Sequence, residues 1–275
     1  MSRNARSQPP TQSATPHSAD AGHIRQTRRD KSTMQMNTII TGDCREILPT
    51  LPDKSFQLAF ADPPYWVGFD YGEKTDKEME YINPDFLVSE LLRVSDCVLV
   101  TPGNGNQHLY PNSVWQVAWN KPAAMGYSKI GGWAVWEPIL VYGKPVKRVG
   151  NDAVTVPLKA QADADYHTCP KPLKLMNWIV EKFTNPGDKI LDPVCGSGTT
   201  LKAAKQLSRE YLGIEIDPKI VKLSLERLAN TQPPLLTVSQ LTTRAPDLFS
   251  CPQCEGELQN GYCQKCKAAF ENTSR

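Results

Sequence analysis

No stretch of this 275-residue sequence comes near the roughly 18 consecutive apolar residues that a membrane helix needs. No membrane association is therefore expected. The first thirty residues hold no apolar core, so no secretory signal is expected and a cytoplasmic protein is the default. Charge of one sign is not in surplus: the net charge is +2, which does not by itself mark a nucleic-acid binder. No internal repeat is visible. A GxGxxG turn, which would announce a pyrophosphate cradle, is also missing.

What charge there is lies unevenly. Residues 1–33 carry Arg3, Arg6, Arg25, Arg28, Arg29 and Lys31 against Asp20 and Asp30, set among Ser, Thr, Gln, Pro and Ala. Such composition buries too little surface to offset chain entropy, so residues 1–36 are expected to form a disordered basic extension. A phosphate-scanning tail and an unselected extension both remain open; Met34 and Met36 sit just before the first strand.

The eight cysteines fall into two sets. Cys44, Cys97, Cys169 and Cys195 are scattered, whereas Cys251, Cys254, Cys263 and Cys266 are crowded as two CxxC knuckles eight residues apart. In a reducing compartment this pattern predicts a structural Zn2+ held by four thiolates, with Gly256 and Gly261 letting the chain reverse. Two disulfides or an iron–sulfur cluster are the other readings. A segment this small would fold only with its metal. The expected organisation is thus a basic extension (1–36), an α/β domain (37–229), a Thr/Pro/Gln-rich linker (230–250) and a zinc ribbon (251–275).

Within 37–229, short apolar runs alternate with helical patterns. Strands are expected at Thr38–Thr41, Phe56–Ala61, Cys97–Thr101, Trp115–Asn120, Val135–Tyr142, Lys189–Leu191 and Tyr211–Glu215. Helices are expected at Cys44–Leu51, Pro84–Val94, Pro172–Thr184, Thr199–Leu207 and Pro218–Ala229, with residues 67–82 a loop and 143–166 irregular. Strands apolar throughout and alternating with helices predict a largely parallel sheet covered on both faces, with ligand sites beyond the strands' C-terminal ends.

Two segments after predicted strands carry chemistry. Asp192-Pro193-Val194-Cys195-Gly196-Ser197-Gly198-Thr199-Thr200 turns from strand into helix. Its glycines let backbone approach a ligand, its helix start offers N–H groups, and an acid directly after the strand suits an ammonium group. Glu215, ending the next strand 23 residues on, can accept both hydroxyls of a ribose. Together they read as a nucleoside-cofactor site. The second segment, Asp62-Pro63-Pro64-Tyr65, follows the strand Phe56–Ala61. Its prolines fix a stiff extended backbone, offering the Asp62 carboxylate and Pro63 carbonyl as acceptors beside the flat Tyr65 ring. That set suits an exocyclic amino group on a stacked base.

On these motifs, residues 37–229 resemble the amino-methylating DNA methyltransferases of the N6-adenine/N4-cytosine family, DPPY type, in the permuted (β-type) motif order. In that order the DPPY segment precedes the cofactor turn, as Asp62–Tyr65 precedes Asp192–Thr200 here. The resemblance implies a Rossmann-like, S-adenosylmethionine-dependent methyltransferase fold with a mostly parallel seven-stranded sheet and an antiparallel hairpin at one edge. It implies S-adenosylmethionine bound through Asp43, His167, Lys171, Pro172, Asp192, Val194, Gly196, Ser197, Gly198, Thr199, Glu215 and Asp217. Asp43 of Thr41-Gly42-Asp43 resembles the acid that meets the cofactor's adenine, and His167 with Lys171-Pro172 resembles the motif lining its methionine end. Asp62, Pro63, Pro64 and Tyr65 are the implied catalytic set. They would act on a base flipped from duplex DNA, with adenine N6 the first choice. Cytosine N4, RNA or single-stranded DNA, and a non-catalytic nucleic-acid-binding protein are the alternatives. No covalent intermediate is implied, so Cys195 is expected to pack in the turn.

The sequence departs from restriction-associated relatives in having only about 23 residues (143–166) where they carry a longer target-recognition region. Lys144, Lys147 and Arg148 there could meet phosphates. The Gly-rich loop 121–134, with Lys121, Tyr127, Lys129 and Trp133, could reach into a groove. A homodimer stays open, no partner protein is identifiable, and both a solitary enzyme and one paired with a restriction nuclease fit.

Overall fold

The structure is a computed structural model that describes residues 34–66, 81–122, 124, 126, 128, 130–158 and 170–232, with the backbone alone of 258–259 and 262–263. The first half runs β1 (Thr38–Thr41), α1 (Cys44–Ile47), a 3-10 turn (Leu48–Thr50), β2 (Phe56–Ala61), α2 (Pro84–Val94), β3 (Ser95–Val100), β4 (Trp115–Asn120), β5 (Trp136–Gly143) and β6 (Ala153–Thr155). The second half runs α3 (Leu173–Phe183), β7 (Lys189–Asp192), α4 (Thr199–Gln206), β8 (Glu210–Glu215), α5 (Pro218–Ala229), β9 (Leu258–Gln259) and β10 (Tyr262–Cys263).

Local chemistry explains the helix starts. Asn83 accepts a hydrogen bond from the Phe86 N–H ahead of Pro84, and Asp217 accepts one from the Lys219 N–H ahead of Pro218. In each case the cap side chain satisfies a donor that the helix leaves open, and the proline at the first position lacks one. The strands β2 and β3 are buried along nearly their whole length, as strands covered by helices on both faces must be.

Eight strands form one sheet in the order β1-β8-β7-β2-β3-β5-β4-β6. The pairs β1·β8, β8·β7, β7·β2, β2·β3 and β4·β6 are parallel, while β5 is antiparallel to both β3 and β4. Two expectations are corrected here. The sheet has eight strands, not seven, and the β4–β5 hairpin is not its edge. Residues Ala153–Thr155, expected to be irregular, pair with Ala118, Trp119 and Asn120 and cover the open side of β4. Three residues are too few for an alternation pattern; edge pairing, rather than local sequence, makes them a strand.

The strand order sets the site. From β2 through α2 to β3 the chain moves one way along the sheet, and from β7 through α4 to β8 it moves the other. Because such crossovers are right-handed, α2 and α4 cover opposite faces. The reversal falls between the neighbours β7 and β2, and the crevice beyond their C-terminal ends is where open α/β sheets bind ligands. On the α4 face, Leu175, Met176, Ile179, Val180 and Phe183 of α3 join Leu58, Phe60, Cys97 and Leu99 of the central strands in one buried cluster. Burial of such side chains is worth about 1.5–3 kcal/mol each, so the crevice walls are firmly held.

No helix among the described residues is long and apolar enough to cross a membrane. The expected basic extension, the loop 67–80, His167 and Cys169, and most of the linker lie outside the described residues, as do the side chains of the four clustered cysteines. Of the last 25 residues, β9 and β10 are described: they pair antiparallel, Tyr262 opposite Gln259 and Cys263 opposite Leu258. No group of residues that could hold a metal ion is found among the described residues.

Candidate active site

Every strand end around the reversal delivers a polar segment. Gly42-Asp43 follows β1, Glu215 ends β8, Asp192 ends β7 and Asp62 follows β2. Because these four strands are adjacent and parallel, the carboxyl-bearing residues line one rim of the sheet.

The β7–α4 turn is built around two residues with left-handed backbone, Gly196 at φ 48 and Gly198 at φ 73. The Cys195 N–H donates to the Ile214 carbonyl (2.9 Å), and the Gly198 N–H to the Cys195 carbonyl (2.8 Å). Arg227, buried on α5, donates through Nη1 to the Ser197 carbonyl (2.8 Å) and to Thr199 Oγ1 (3.1 Å). Ser224 Oγ donates to the Gly196 carbonyl (2.8 Å). Gly213 on β8 lets the turn lie close: a Cβ there would come within 2.6 Å of Leu201 Cδ1 and 2.9 Å of Cys195 Sγ. Cys195 is buried, and that burial pushes its thiol well above its ordinary pKa, which suits packing and opposes a nucleophilic role.

Two carboxyls meet at this turn. Asp192 is buried, accepts from the Val194 N–H (3.2 Å), and is pushed up to about 7 chiefly by burial, with the Thr200 hydroxyl opposing. Glu215 accepts from the Gly196 N–H (2.9 Å) and the Asp217 N–H (3.0 Å); burial raises its pKa, and those backbone donors hold it down. Two carboxyls kept partly out of water, beside a turn narrowed by glycine, fit a ligand that brings a cation and hydroxyl donors. Asp43 sits differently. It caps α1 and pairs with Arg45 at 2.5 Å, a guanidinium that holds its carboxyl below the usual range. Asp217 caps α5.

The second centre lies beyond β2. Asp62 Oδ1 accepts from Thr101 Oγ1 (2.5 Å) and lies 2.6 Å from Tyr65 Oη. Asp62 Oδ2 accepts from Lys171 Nζ at 2.5 Å. The same ammonium is 3.0 Å from Tyr65 Oη and 5.2 Å from the centre of its ring. Burial, with the Asp62 and Glu137 charges adding, raises the Tyr65 phenol well above its ordinary pKa, so it stays neutral. Tyr65 is held at its backbone by Asn106 Nδ2 (2.9 Å). Its ring lies against Gly103, where a Cβ would meet ring carbons at 2.7 Å. A cleft beside it is lined by Pro63, Pro64, Tyr65, Trp66, Tyr81 and Tyr110.

The structure therefore brings Asp62, Tyr65 and Lys171 together, and separately Asp192, Gly196, Ser197, Thr199 and Glu215. Lys171, expected at the cofactor's methionine end, sits on Asp62 and Tyr65. Pro172 is the residue before α3. Lys121, read from sequence as reaching toward a groove, is instead drawn inward to a 2.7 Å pair with Glu137, because a buried carboxylate in a strand needs a counter-charge. Sequence reasoning missed Thr101, Gly103 and Glu137. For Glu137 a signal existed: it is the acid within the otherwise apolar run of β5, buried with 5 % exposure.

The N6/N4 DNA methylase family profile matches residues 111–226. The chain is similar to the DNA adenine methyltransferase YhdJ of Escherichia coli, 26 % identical over 248 residues that cover 70 % of this chain and 83 % of YhdJ. The fold resembles that of TTHA0409 of Thermus thermophilus in complex with S-adenosyl-L-methionine, at TM-score 0.50 and 24 % identity over 72 % of this chain and 95 % of that one. It also resembles that of the cytosine-N4-specific PvuII DNA methyltransferase, at TM-score 0.51 and 16 % identity over 74 % and 89 % of the two chains. The matched segment, with the relatives that span most of the described core, supports an N6-adenine/N4-cytosine DNA methyltransferase.

Proposed function

We propose that this protein transfers a methyl group from S-adenosylmethionine to adenine N6 of a base flipped out of DNA, using the permuted motif order of the DPPY enzymes. The observation that carries the reading is the meeting, at the reversal of strand order, of a glycine-narrowed turn holding one buried and one half-buried carboxyl with an acceptor–aromatic cluster around Asp62. A zinc ribbon at Cys251, Cys254, Cys263 and Cys266 belongs to the same proposal, supported by the cysteine spacing.

When bound, S-adenosylmethionine supplies a methyl carbon already activated on a sulfonium. The work of the chain is then placement, which can supply much of a rate enhancement. Asp192 takes the cofactor's ammonium group and Glu215 its ribose hydroxyls, with the turn from Val194 to Thr199 against it. Asp43, Asp217, His167 and Pro172 complete the proposed cofactor set. The base stacks on Tyr65 in the aromatic cleft. Asp62 and the Pro63 carbonyl accept the two amino hydrogens, which keeps the nitrogen's electron density directed at the methyl group. Lys171 pairs with Asp62 and holds its carboxylate in place.

Adenine is favoured by the acid at the head of Asp62-Pro63-Pro64-Tyr65 and by the similarity to YhdJ. The test is expression in a host that lacks DNA methylation of its own, followed by nucleoside mass spectrometry of its DNA. N6-methyldeoxyadenosine is expected. N4-methyldeoxycytidine in its place would overturn the choice of base, and unmodified DNA from cells holding folded protein would overturn the reading.

A further inference from the structure

The hydrogen bonds around Asp62 contain a count that does not close with a single arrangement. A neutral tyrosine has one hydroxyl hydrogen. Tyr65 Oη lies within reach of two carboxylate oxygens, Asp62 Oδ1 at 2.6 Å and Glu137 Oε1 at 2.8 Å. Only one of them receives the hydrogen at a time. Lys171 Nζ, at 3.0 Å, donates into a lone pair of the same hydroxyl in either arrangement. Glu137 is fixed from its other side, where Oε2 accepts from Lys121 Nζ at 2.7 Å, and both side chains are nearly buried.

Asp62 is meanwhile crowded. Its carboxylate has about four acceptor positions, and Thr101, Tyr65 and Lys171 address three of them. Oδ1 already accepts from both Thr101 and Tyr65, so an amino group that donates to Oδ1 needs one of these two to turn away. The other acceptor beside the buried Thr101 hydroxyl, the Ala61 carbonyl, is a long 3.4 Å away and uncharged, and Lys171 carries the compensating charge. The Tyr65 hydroxyl can turn by rotation alone, because a second anionic acceptor already stands beside it.

Resting on the proposed amino-methylation, we propose that Glu137 is a positioning residue: it is the alternate acceptor for the Tyr65 hydroxyl hydrogen, and by taking it frees Asp62 Oδ1 for the amino group of the target base. The hydrogen stays on Tyr65 Oη throughout; a hydrogen bond changes partner and no proton is transferred. Lys121 keeps Glu137 aimed through their 2.7 Å pair. Without the second acceptor, the Tyr65 hydrogen would either compete with the base for Asp62 or be left unsatisfied in a buried site.

The test compares Glu137→Gln, which keeps an oxygen that can accept, with Glu137→Met, which has none. Both are made with Lys121→Met so that no unpaired cation remains. Single-turnover methyl transfer to DNA is measured, with cofactor affinity and melting temperature as checks on folding. The expected result is a Met variant slower than the Gln variant by at least about tenfold, with cofactor affinities alike, since a buried donor without a partner costs that much or more. Adding Tyr65→Phe should shrink the difference to about twofold, because no hydrogen is left to turn. Equal rates for the Gln and Met variants would overturn the proposal and leave Glu137 only a structural ion pair. A difference that survives Tyr65→Phe would also overturn it. Failure of the unsubstituted protein to label DNA would instead strike the proposed activity, so the two failures are distinguishable.

Discussion

Asp192 gives a prediction whose size follows from its surroundings. Burial pushes its pKa from 3.8 to about 7 in the protein without ligand, so near pH 6 it is mostly protonated. A cationic ammonium group bound against it needs the carboxylate. Binding must therefore draw from the ionised fraction, and the apparent affinity for S-adenosylmethionine should be about tenfold weaker at pH 6 than at pH 8, levelling above pH 8. Binding at pH 6 should release close to one proton, visible as a dependence of the calorimetric enthalpy on the ionisation enthalpy of the buffer. Stability without ligand should follow the same group. Its folded pKa lies above its unfolded one, so between about pH 4 and 7 the folded state binds more protons. Stability from this group is full below that window and is lost as pH rises through it, by at most about 4 kcal/mol. Glu215 is raised by burial too and acts in the same direction. Asp192→Asn should flatten the pH dependence of affinity and lower affinity at pH 8. Affinity that is flat from pH 6 to 8 in the unsubstituted protein, or that weakens as pH rises, would refute the placement of the ammonium group at Asp192.

If Asp62 faces the base and not the cofactor, as proposed, Asp62→Ala should reduce methyl transfer by at least about a thousandfold while cofactor affinity changes less than about threefold, measured by labelled-methyl transfer and calorimetry. Gly103→Ala puts a Cβ 2.7 Å from the Tyr65 ring at a residue with φ +73, so it should cost about 1–3 kcal/mol of stability by denaturant titration and displace the stacking ring, lowering the transfer rate. Cys263→Ser should release zinc, read by atomic emission, without lowering the main thermal transition; a cooperative loss of the whole fold would make the C-terminal segment part of the core.

Much of this was legible in the sequence for a physical reason. Short apolar runs bounded by polar or turn residues mark strands, so β1, β2 and β4 begin and end where expected. Turns that need glycine or proline declare themselves, as at Asp62–Tyr65 and Asp192–Thr200. Edge pairing is not local, so β6 was invisible. The direction of a long side chain is not local either. Lys171 was read as part of a motif, but its reach to an acid 109 residues earlier depends on how α3 packs. Glu137 lies 72 residues from Tyr65 and 16 from Lys121. Its role exists only once β2, β4 and β5 stand in the same sheet, and the one hint in sequence was a charge inside an apolar strand.

The central claim is methyl transfer to a base amino group in DNA, and the most direct test uses purified protein with methyl-labelled S-adenosylmethionine on unmodified duplex DNA, single-stranded DNA and RNA, each digested to nucleosides and resolved by mass spectrometry. Label on N6-methyldeoxyadenosine from the duplex, lost with Asp62→Ala, is the predicted result. Cofactor bound with no label in any nucleoside, or label confined to RNA, would contradict it.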